Sequence, residues 1–387
     1  MAEWLKTSLI DIVELIGGGT PKTSKAEYWG GNINWLSVKD FNNENRYVYS
    51  TEKTITEEGL NNSSTKLLRK DDIIISARGT VGELAMIPFP MAFNQSCYGI
   101  RAKDGINSTF LYYLIKHSIR KLKSMTHGSV FDTITRDTFA NIEVAIPDIE
   151  TQQRIAKMLA DIDDKVENNQ RINNNLEQQA KALYKDWFFD FSPFSTEGNL
   201  PDGWHLGTVG DIIQLHDSKR VPLSGPERDK MEKIYPYYGA TSLMDYVDNY
   251  LFDGIYLLLG EDGTVVDSLG FPILQYVYGQ FWVNNHAHII TGKEGFSVEE
   301  LYLLFSLTNI KSIVTGAVQQ KVSQQNLKKV PAIIPSKEAL SAFDDLIQPI
   351  FAQIRNLRDE NAHLADLRDT LLPRLMSGEL DVSDTEI

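Results

Sequence analysis

The residues of this sequence that could perform chemistry do not form the patterns that catalytic and metal sites require. The stretch "GGGTPKTS", residues 17–24, is rich in glycine but lacks the G-x-x-x-x-G-K-[ST] spacing of a phosphate-binding loop. His286 and His288 form an H-x-H pair, yet no cysteine or acidic residue lies at a spacing typical of zinc ligands. No nucleophile stands beside a general base, and no Asn-Pro-Pro-aromatic tetrapeptide occurs. The sequence therefore predicts a recognition protein with no catalytic residue and no metal ligand.

Composition places the chain among ordinary globular proteins. It has 387 residues, of which 42% are hydrophobic and 23% charged, so we expect two or three domains. No apolar run is long enough for a membrane span, and the charged N-terminus does not look like a signal peptide. The single cysteine, Cys97, cannot form an internal disulfide, so we expect a cytoplasmic protein. The net charge of −14 argues against a general nucleic-acid coat but leaves room for local basic faces.

The sequence pattern that predicts the elements positioning any functional residue occurs twice in the chain. "IPDIETQQRIAKML", residues 146–159, and "IPSKEALSAFDDLI", residues 334–347, both place an Ile-Pro pair before a helical pattern. Asp148 and Ser336 are the predicted N-caps. Each stretch therefore predicts a short strand that leads directly into a helix.

The similarity extends beyond this junction, in the same order and at nearly the same spacing. Such repetition along a chain is best explained by two copies of one fold. The paired segments are "EWLKTSLIDI" at 3 with "GWHLGTVGDI" at 203, "IIISARGTVG" at 73 with "LLLGEDGTVV" at 257, "FNQSCYGI" at 93 with "VNNHAHII" at 283, "LYYLI" at 111 with "LYLLF" at 301, and "GSVFDTITRDTFANIEVAIP" at 128 with "GAVQQKVSQQNLKKVPAIIP" at 316.

A heptad seam of alternating three- and four-residue steps follows each copy. It predicts two helices of roughly 40 residues, or about 60 Å, and puts Asn173 and Asn361 at equivalent positions, where a polar residue can set register. Such seams commonly serve simple oligomerisation, whereas the duplicated units favour pairing within the chain. The predicted seam residues are Ile155, Leu159, Ile162, Val166, Asn173, Leu176, Leu183, Phe343, Ile347, Ile350, Ile354, Asn361, Leu364 and Leu371.

The predicted fold class is α+β, with two globular domains in tandem, each followed by a long helix. We expect the two helices to pair as an antiparallel coiled coil with pseudo-twofold symmetry. The predicted divisions are residues 1–147 for the first globular domain and 148–190 for the first helix, then 191–335 for a linker with the second globular domain and 336–387 for the second helix with an acidic tail.

These segments resemble the specificity (S) subunits of type I restriction-modification systems over nearly the whole chain. "LIGGGTPKTSKAEYWGGNINWLSVKDF", residues 15–41, is similar to the opening of a first target recognition domain. "YPYYGATSLMDYVDNYLFDG", residues 235–254, is similar to part of a second one. The stretch from "IPDIETQQRIAKML" to "YKDWFFDF" resembles the central conserved region, and "LRDTLLPRLMSGELDV" resembles the distal one.

The resemblance implies a division of labour. Each recognition domain would read one half of an asymmetric bipartite sequence in double-stranded DNA. The helices would set the spacing and dock two methyltransferase (M) subunits, and motor-nuclease (R) subunits would join the complex. S-adenosylmethionine, ATP and Mg²⁺ would be used by those partners, and this chain would bind none of them.

In the first copy, three loops and their neighbours combine glycine with hydrogen-bond donors suited to DNA. Arg78 in "SARGTVG" could contact guanine or phosphate, or be a solvated arginine in a hairpin turn. Asn94 and Gln95 have amides suited to adenine, or form a strand-end turn with internal hydrogen bonds. The candidate contacts are Lys22, Thr23, Lys39, Arg78, Gly79, Thr80, Asn94, Gln95, His127, Gly128 and Ser129.

In the second copy, the corresponding places are more acidic. Glu261 or Asp262 could accept a hydrogen bond from cytosine N4. Tyr238 lies in the "YYGAT" stretch, where it could instead belong to the core. The candidate contacts are Lys219, Arg220, Tyr238, Gly239, Thr241, Glu261, Asp262, Asn284, Asn285, His286, Gln319, Gln320 and Lys321.

Two alternatives remain open at this point, one within the same class of function and one from a different class. The chain could be the specificity chain of a related modification system, or a scaffold remnant that has lost DNA binding. A self-contained enzyme is disfavoured because the catalytic motifs are missing.

Overall fold

The structure is a computed structural model that describes residues 4–41, 45–125, 133–194, 199–316 and 319–383. The chain divides into two compact units. The first unit comprises residues 1–171 and 358–387, and the second comprises residues 172–357. Among the described helices, none is long and apolar enough to cross a membrane.

The first copy alternates short strands with a few helices. Its helices are α1 Glu57–Asn61, α2 Ser108–Met125, α3 Arg136–Asn141 and the long α4 Ile149–Phe188. Its strands are β1 Leu5–Ser8, β2 Val13–Gly17, β3 Trp29–Leu36, β4 Lys53–Ile55, β5 Leu67–Leu68, β6 Ile73–Ser76, β7 Leu84–Met86, β8 Met91–Phe93, β9 Cys97–Ala102 and β10 Glu143–Ile146.

The second copy has longer strands and the same closing helix. Its helices are α5 Val209–Ile212, α6 Gly225–Arg228, α7 Val298–Leu307, α8 Gln324–Lys328 and the long α9 Lys337–Met376. Its strands are β11 His205–Thr208, β12 Ile213–Leu215, β13 Tyr235–Tyr238, β14 Leu243–Val247, β15 Phe252–Gly260, β16 Asp262–Gly263, β17 Leu274–Val283, β18 Ala287–Gly292, β19 Gln320–Lys321 and β20 Pro331–Ile334.

The strands of the first copy form two separate larger sheets, whereas those of the second copy form one. In the first unit, two four-stranded sheets have the orders β2-β9-β6-β7 and β4-β3-β8-β5. In the second unit, one six-stranded sheet runs β12-β18-β15-β17-β13-β14. Each copy also pairs its first strand antiparallel with its last, β1 with β10 and β11 with β20. The fold class is therefore α+β with two tandem domains, as predicted.

Hydrogen bonds at matching positions confirm the internal repeat and its register. The amide of Leu9 donates to the carbonyl of Ile142 at 2.8 Å, and Val209 donates to Val330 at the same distance. These are the partners that the sequence alignment pairs. The same holds for Lys103 to Ile12 with Lys293 to Ile212, Ala77 to Ser96 with Glu261 to His286, and Ile134 to Ala77 with Val322 to Glu261. The bonds from Asn94 to Leu36 and from Asn284 to Tyr238 add a further equivalent pair that the sequence pairing did not include.

Both long helices begin and extend as predicted. Asp148 accepts a hydrogen bond from the amide of Thr151 at 3.0 Å, and Ser336 accepts one from Ala339 at 3.2 Å. Each helix has 40 residues, close to the predicted length. Both are divided between the two units, because the units change at residues 171 and 357.

In the first unit, the start of α4 packs with the end of α9. Ile155 and Leu159 share a buried core with Leu372, Leu375 and the strands of the first copy. Arg368 donates to Asp163 at 2.8 Å, and Asn169 donates to Asn361 at 2.9 Å. The residue number on α9 falls as that on α4 rises, so the two segments run in opposite directions.

In the second unit, the end of α4 packs with the start of α9. Tyr184, Trp187 and Phe188 surround Phe343, with ring centroids 4.8 to 5.5 Å apart. Leu176 and Leu183 pack against the same core, which also contains Ile347 and Ile354. Aromatic packing of this kind contributes beyond the area it buries.

Candidate nucleic-acid interface

In the first unit, the strand ends bring together loops that are far apart in sequence. The amide of Gly19 donates to the carbonyl of Phe93 at 3.0 Å, and that of Arg78 donates to Ser96 at 3.2 Å. The amide of Asn94 donates to Leu36, which lies just before Lys39. The candidate residues Lys22, Thr23, Lys39, Arg78 and Gln95 are exposed on these loops or beside them.

The loop around Arg78 is held by the buried Ser76, which leaves the side chain of Arg78 exposed. The hydroxyl of Ser76 accepts a hydrogen bond from the amide of Glu83 at 2.8 Å and donates to the carbonyl of Thr80. Gly79 has a φ of 81°, a conformation that favours glycine. Arg78 and Thr80 are exposed at the tip. The hairpin turn and the exposed arginine are therefore both present, and they do not exclude each other.

Asn94 and Gln95 have different environments. The side-chain oxygen of Asn94 accepts a hydrogen bond from the amide of Ser96 at 3.1 Å, which is the internal turn that the sequence left open. Gln95 is exposed, and its side chain meets the hydroxyl of Thr20. Gln95 is therefore the better placed of the two amides for an external contact.

The predicted loop of His127, Gly128 and Ser129 lies outside the described residues. The described chain resumes at Thr133, and the amide of Ile134 donates to the carbonyl of Ala77 at 3.0 Å. The segment after the predicted loop thus lies next to Arg78.

In the second unit, the candidate residues form a connected ionic network. Arg220 donates to Glu261 at 2.6 Å and to the carbonyl of Ala287 at 2.8 Å. Lys321 lies 3.4 Å from the other oxygen of Glu261. Asp262 contacts the imidazole of His286, and its strand β16 pairs with β19, which contains Lys321. Residues separated by up to about a hundred positions in sequence therefore share one site.

The buried Asp217 also belongs to this network, although the sequence analysis did not predict it as a site residue. Its carboxylate lies 2.6 Å from Nδ1 of His288 and accepts a hydrogen bond from the amide of Ile289 at 2.9 Å. Burial alone would raise the pKa of Asp217, but the hydrogen bonds from His288 and Ile289 and the charge of Arg220 hold that pKa below its ordinary value. Only the long-range contact of 71 positions reveals this role, and no local pattern marks it.

The sequence shows no acidic residue at metal-ligand spacing from the H-x-H pair, but the fold brings two acidic side chains close to His288. Asp217, Glu261 and His288 place ligand atoms within 4.8 Å of one another. Their partners are protein groups, however. Arg220 binds Glu261, and Nε2 of His288 donates to the carbonyl of Val322 at 2.7 Å. The arrangement is that of a buried ionic cluster that shapes the loops.

Three of the residues predicted as DNA contacts in the second copy also have internal contacts. Asn284 is only 5% exposed, and its side-chain oxygen accepts from the amide of His286 at 2.8 Å. Gly239 is buried, and a Cβ there would lie 2.5 Å from the sulfur of Met244. Arg220 is bound in the network above. These groups would have to break existing contacts to reach a ligand.

Other residues of the second copy remain accessible. Tyr238 is half-buried, with its ring 5.9 Å from that of Phe281. The exposed candidates are Lys219, Thr241, Asn285, Gln319, Gln320 and Lys321. Both copies thus present exposed polar side chains on loops held by internal hydrogen bonds, an arrangement suited to contacting base edges and phosphates.

Several predicted seam residues lie in the two cores: Ile155, Leu159 and Leu371 in the first unit, and Leu176, Leu183, Phe343, Ile347, Ile350 and Ile354 in the second. Asn361 pairs with Asn169, which is fully buried, and donates to the carbonyl of Val166 at 3.3 Å. Asn173, predicted as the equivalent of Asn361, has a buried side-chain oxygen with no hydrogen-bond partner among the described residues.

A family model described as "Type I restriction modification DNA specificity domain" matches residues 1–178 and 201–362. The chain is 30% identical to the specificity subunit of the type I restriction enzyme MjaIX of Methanocaldococcus jannaschii, over 99% of this chain and 94% of that one. It is 24% identical to the EcoprrI specificity subunit of Escherichia coli, over 90% and 89% of the two chains. In fold it is similar to the S subunit of a type I system from M. genitalium, with a TM-score of 0.57 at 17% identity and 96% coverage of both chains.

Proposed function

This chain belongs to the type I restriction modification DNA specificity family, and we propose that it selects the DNA target of such a complex by reading two different half-sites. Each recognition domain contacts one half through its loops. The chain carries no catalytic group of its own, and its partners supply the chemistry.

The observation that carries this proposal is the duplicated framework with different side chains. Ala77 and Glu261 make equivalent backbone hydrogen bonds, so the loops after them start from equivalent places in the two copies. The next residue is Arg78 in the first copy and Asp262 in the second. An arginine suits guanine and a carboxylate suits cytosine N4, so equivalent loops would select different bases. The two half-sites should therefore differ.

We further propose that α4 and α9 pair along their length as an antiparallel coiled coil with pseudo-twofold symmetry. The opposed contacts of Asp163 and Asn169 in the first unit support this arrangement. The pair would set the gap between half-sites and dock two M subunits. The domain divisions 1–147, 148–190, 191–335 and 336–387 follow from this assignment.

The partners proposed for this chain are double-stranded DNA, two M subunits and, through the complex, R subunits. The M subunits would use S-adenosylmethionine to methylate adenine, and the R subunits would use ATP and Mg²⁺. Such a complex would act in the cytoplasm, where the DNA is. The net charge of −14 is compatible with partners that neutralise much of the phosphate charge.

A methylome tests the proposal directly. The chain is co-expressed with its M subunits in a host that lacks adenine methylation, and native DNA is sequenced for N6-methyladenine. A split motif with a fixed gap and two different halves is the expected result. A soluble complex that leaves the DNA unmethylated would favour the alternative of a scaffold that has lost DNA binding.

A matched insertion then tests the spacer. One heptad added to both α4 and α9 should lengthen the gap in the methylated motif, whereas a heptad in one helix alone should disrupt pairing. An unchanged gap after a tolerated double insertion would rule out a role of the helices in spacing.

A further inference from the structure

A buried polar triad joins three helices of the first unit. The hydroxyl of Tyr113 on α2 donates to Asp163 on α4 at 2.6 Å, and Arg368 on α9 donates to the other oxygen of Asp163 at 2.8 Å. Tyr113 is fully buried, Asp163 is 5% exposed and the side chain of Arg368 is 14% exposed. The charges of Asp163 and Arg368 therefore compensate each other away from water.

The second copy has apolar residues at the same three positions of the repeat. The helix caps and the strand hydrogen bonds fix which positions of the two copies are equivalent. In this alignment Leu303 is equivalent to Tyr113, Phe351 to Asp163 and Ala180 to Arg368. All three are at most 1% exposed and belong to one buried cluster of the second unit. The contact between the long helices at these positions is thus polar in the first unit, here called the first junction, and apolar in the second unit, the second junction.

This difference distinguishes pairing within the chain from pairing with a second copy. Within the chain, Asp163 meets Arg368. If α4 paired antiparallel with α4 of a second copy, Asp163 would meet Ala180. If α9 paired with α9, Arg368 would meet Phe351. Each such contact would break the Asp163–Arg368 pair. Asp163 would keep the hydroxyl of Tyr113, and Arg368 would keep its half-exposed neighbour Asp369 at 3.0 Å. Loss of the buried ion pair is far less favourable than keeping it.

The rest of the seam discriminates little between these pairings. Most seam positions are apolar in both helices. Asn169 meets Asn361 in the chain, and in a pair of two α4 helices it would meet Asn173, another asparagine. The hydrophobic seam alone would therefore tolerate helix exchange between two copies.

We propose that Asp163 and Arg368 determine partner choice between the long helices, and that they reject helix-exchanged dimers with a second copy of this chain. The consequence is that each assembled molecule contains one first copy and one second copy of the globular fold. Exchange would instead join two identical copies, whose target would be symmetric. The inference rests on the helix contacts and holds whether or not the chain binds DNA.

Disulfide trapping in the full-length chain tests this inference. Cys97 is replaced by alanine, and two cysteines are introduced as reporters. Asn169→Cys with Asn361→Cys reports the native pair as a cross-linked monomer. Asn169→Cys with Asn173→Cys reports the exchanged pair as a covalent dimer, since only two α4 helices bring these positions together between chains. Each protein is refolded at high concentration, oxidised and separated on a non-reducing gel.

The decisive variant gives the first junction the residues of the second, as Tyr113→Leu, Asp163→Phe and Arg368→Ala. It should raise the covalent-dimer fraction by about ten-fold over the chain with its native triad, because the charge penalty on exchange is gone. Asp163→Asn with Arg368→Gln, which keeps side-chain volume, should raise it in the same direction. The charge-exchanged control, Asp163→Arg with Arg368→Asp, should stay monomeric.

Circular dichroism identifies which variants are folded. A folded variant of either neutral type that forms no more dimer than the native triad would overturn the inference. So would a charge-exchanged control that dimerises as strongly as the neutral variants.

Discussion

Asn169 donates its side-chain amide to the side-chain oxygen of Asn361 at 2.9 Å, and the same amide nitrogen lies 2.8 Å from Glu360. Asn169 is fully buried between the two long helices. A buried amide in a hydrophobic seam stabilises only the register in which its partner is present. The pair thus ties a residue of the first helix to one almost two hundred positions later.

Replacement of Asn361 by alanine should lower the free energy of unfolding by about 1–3 kcal/mol, because the buried amide of Asn169 loses an acceptor. Urea unfolding followed by circular dichroism measures this change. Asn174→Ala, at an exposed asparagine of α4, should have little effect. Equal stability of Asn361→Ala and the unsubstituted chain would show that the pair does not contribute.

Replacement of Arg78 by alanine should weaken DNA binding by the assembled complex by about 1–3 kcal/mol without loss of folding, because the side chain is exposed. Binding is measured with M subunits present, on DNA that carries the methylated motif. Arg69→Ala, another exposed arginine of the first unit, is the control for charge. If both variants bind alike, Arg78 makes no special contact.

Replacement of Arg220 by glutamine should impair the second half-site and spare the first. The change leaves Glu261 and Asp217 without the guanidinium that holds them, so the loops of the second copy lose their support. The methylated motif should show reduced base specificity in one half-site only. Lys230→Gln, at an exposed lysine of the same unit, should leave both halves intact; relaxation of both halves by Arg220→Gln would contradict the assignment.

Glu300 should make the chain less stable as pH rises. Burial raises the pKa of Glu300 to about 8, and the charge of Asp344 adds to this, although the amide of Ser297 acts in the opposite direction. Between the unfolded value of 4.5 and about 8, the folded state keeps a proton that the unfolded state releases. The free energy of unfolding therefore falls as pH rises through this window.

Glu300→Gln removes that titration and keeps the acceptor for Ser297. Its stability relative to the unsubstituted chain should grow from pH 4.5 to about 8 and then level off. Thermal unfolding across this range measures the difference. Glu338→Gln, at an exposed position, should show no such trend, and a flat difference for Glu300→Gln would contradict a buried neutral acid.

The sequence predicted the internal repeat and the starts of the long helices because both depend on local sequence patterns. Asp148 and Ser336 mark helix starts through short-range capping, and both caps are present. The repeat register predicted that Leu9 and Val209 are equivalent, and their backbone partners agree. Periodicity and repetition act over a few residues at a time, so they can be seen without the folded structure.

Roles that depend on distant partners could not be seen in this way. Asn284 has the side chain of a base-reading residue, and only the fold shows that its amide holds a turn. Asp217 meets His288 across 71 positions, and Arg368 meets Asp163 across 205. Burial and pairing of charges arise when separate segments pack together and exclude water. The sequence therefore determined the two copies and their helices, while the tertiary structure decided which polar side chains support the loops and which remain free to reach outwards.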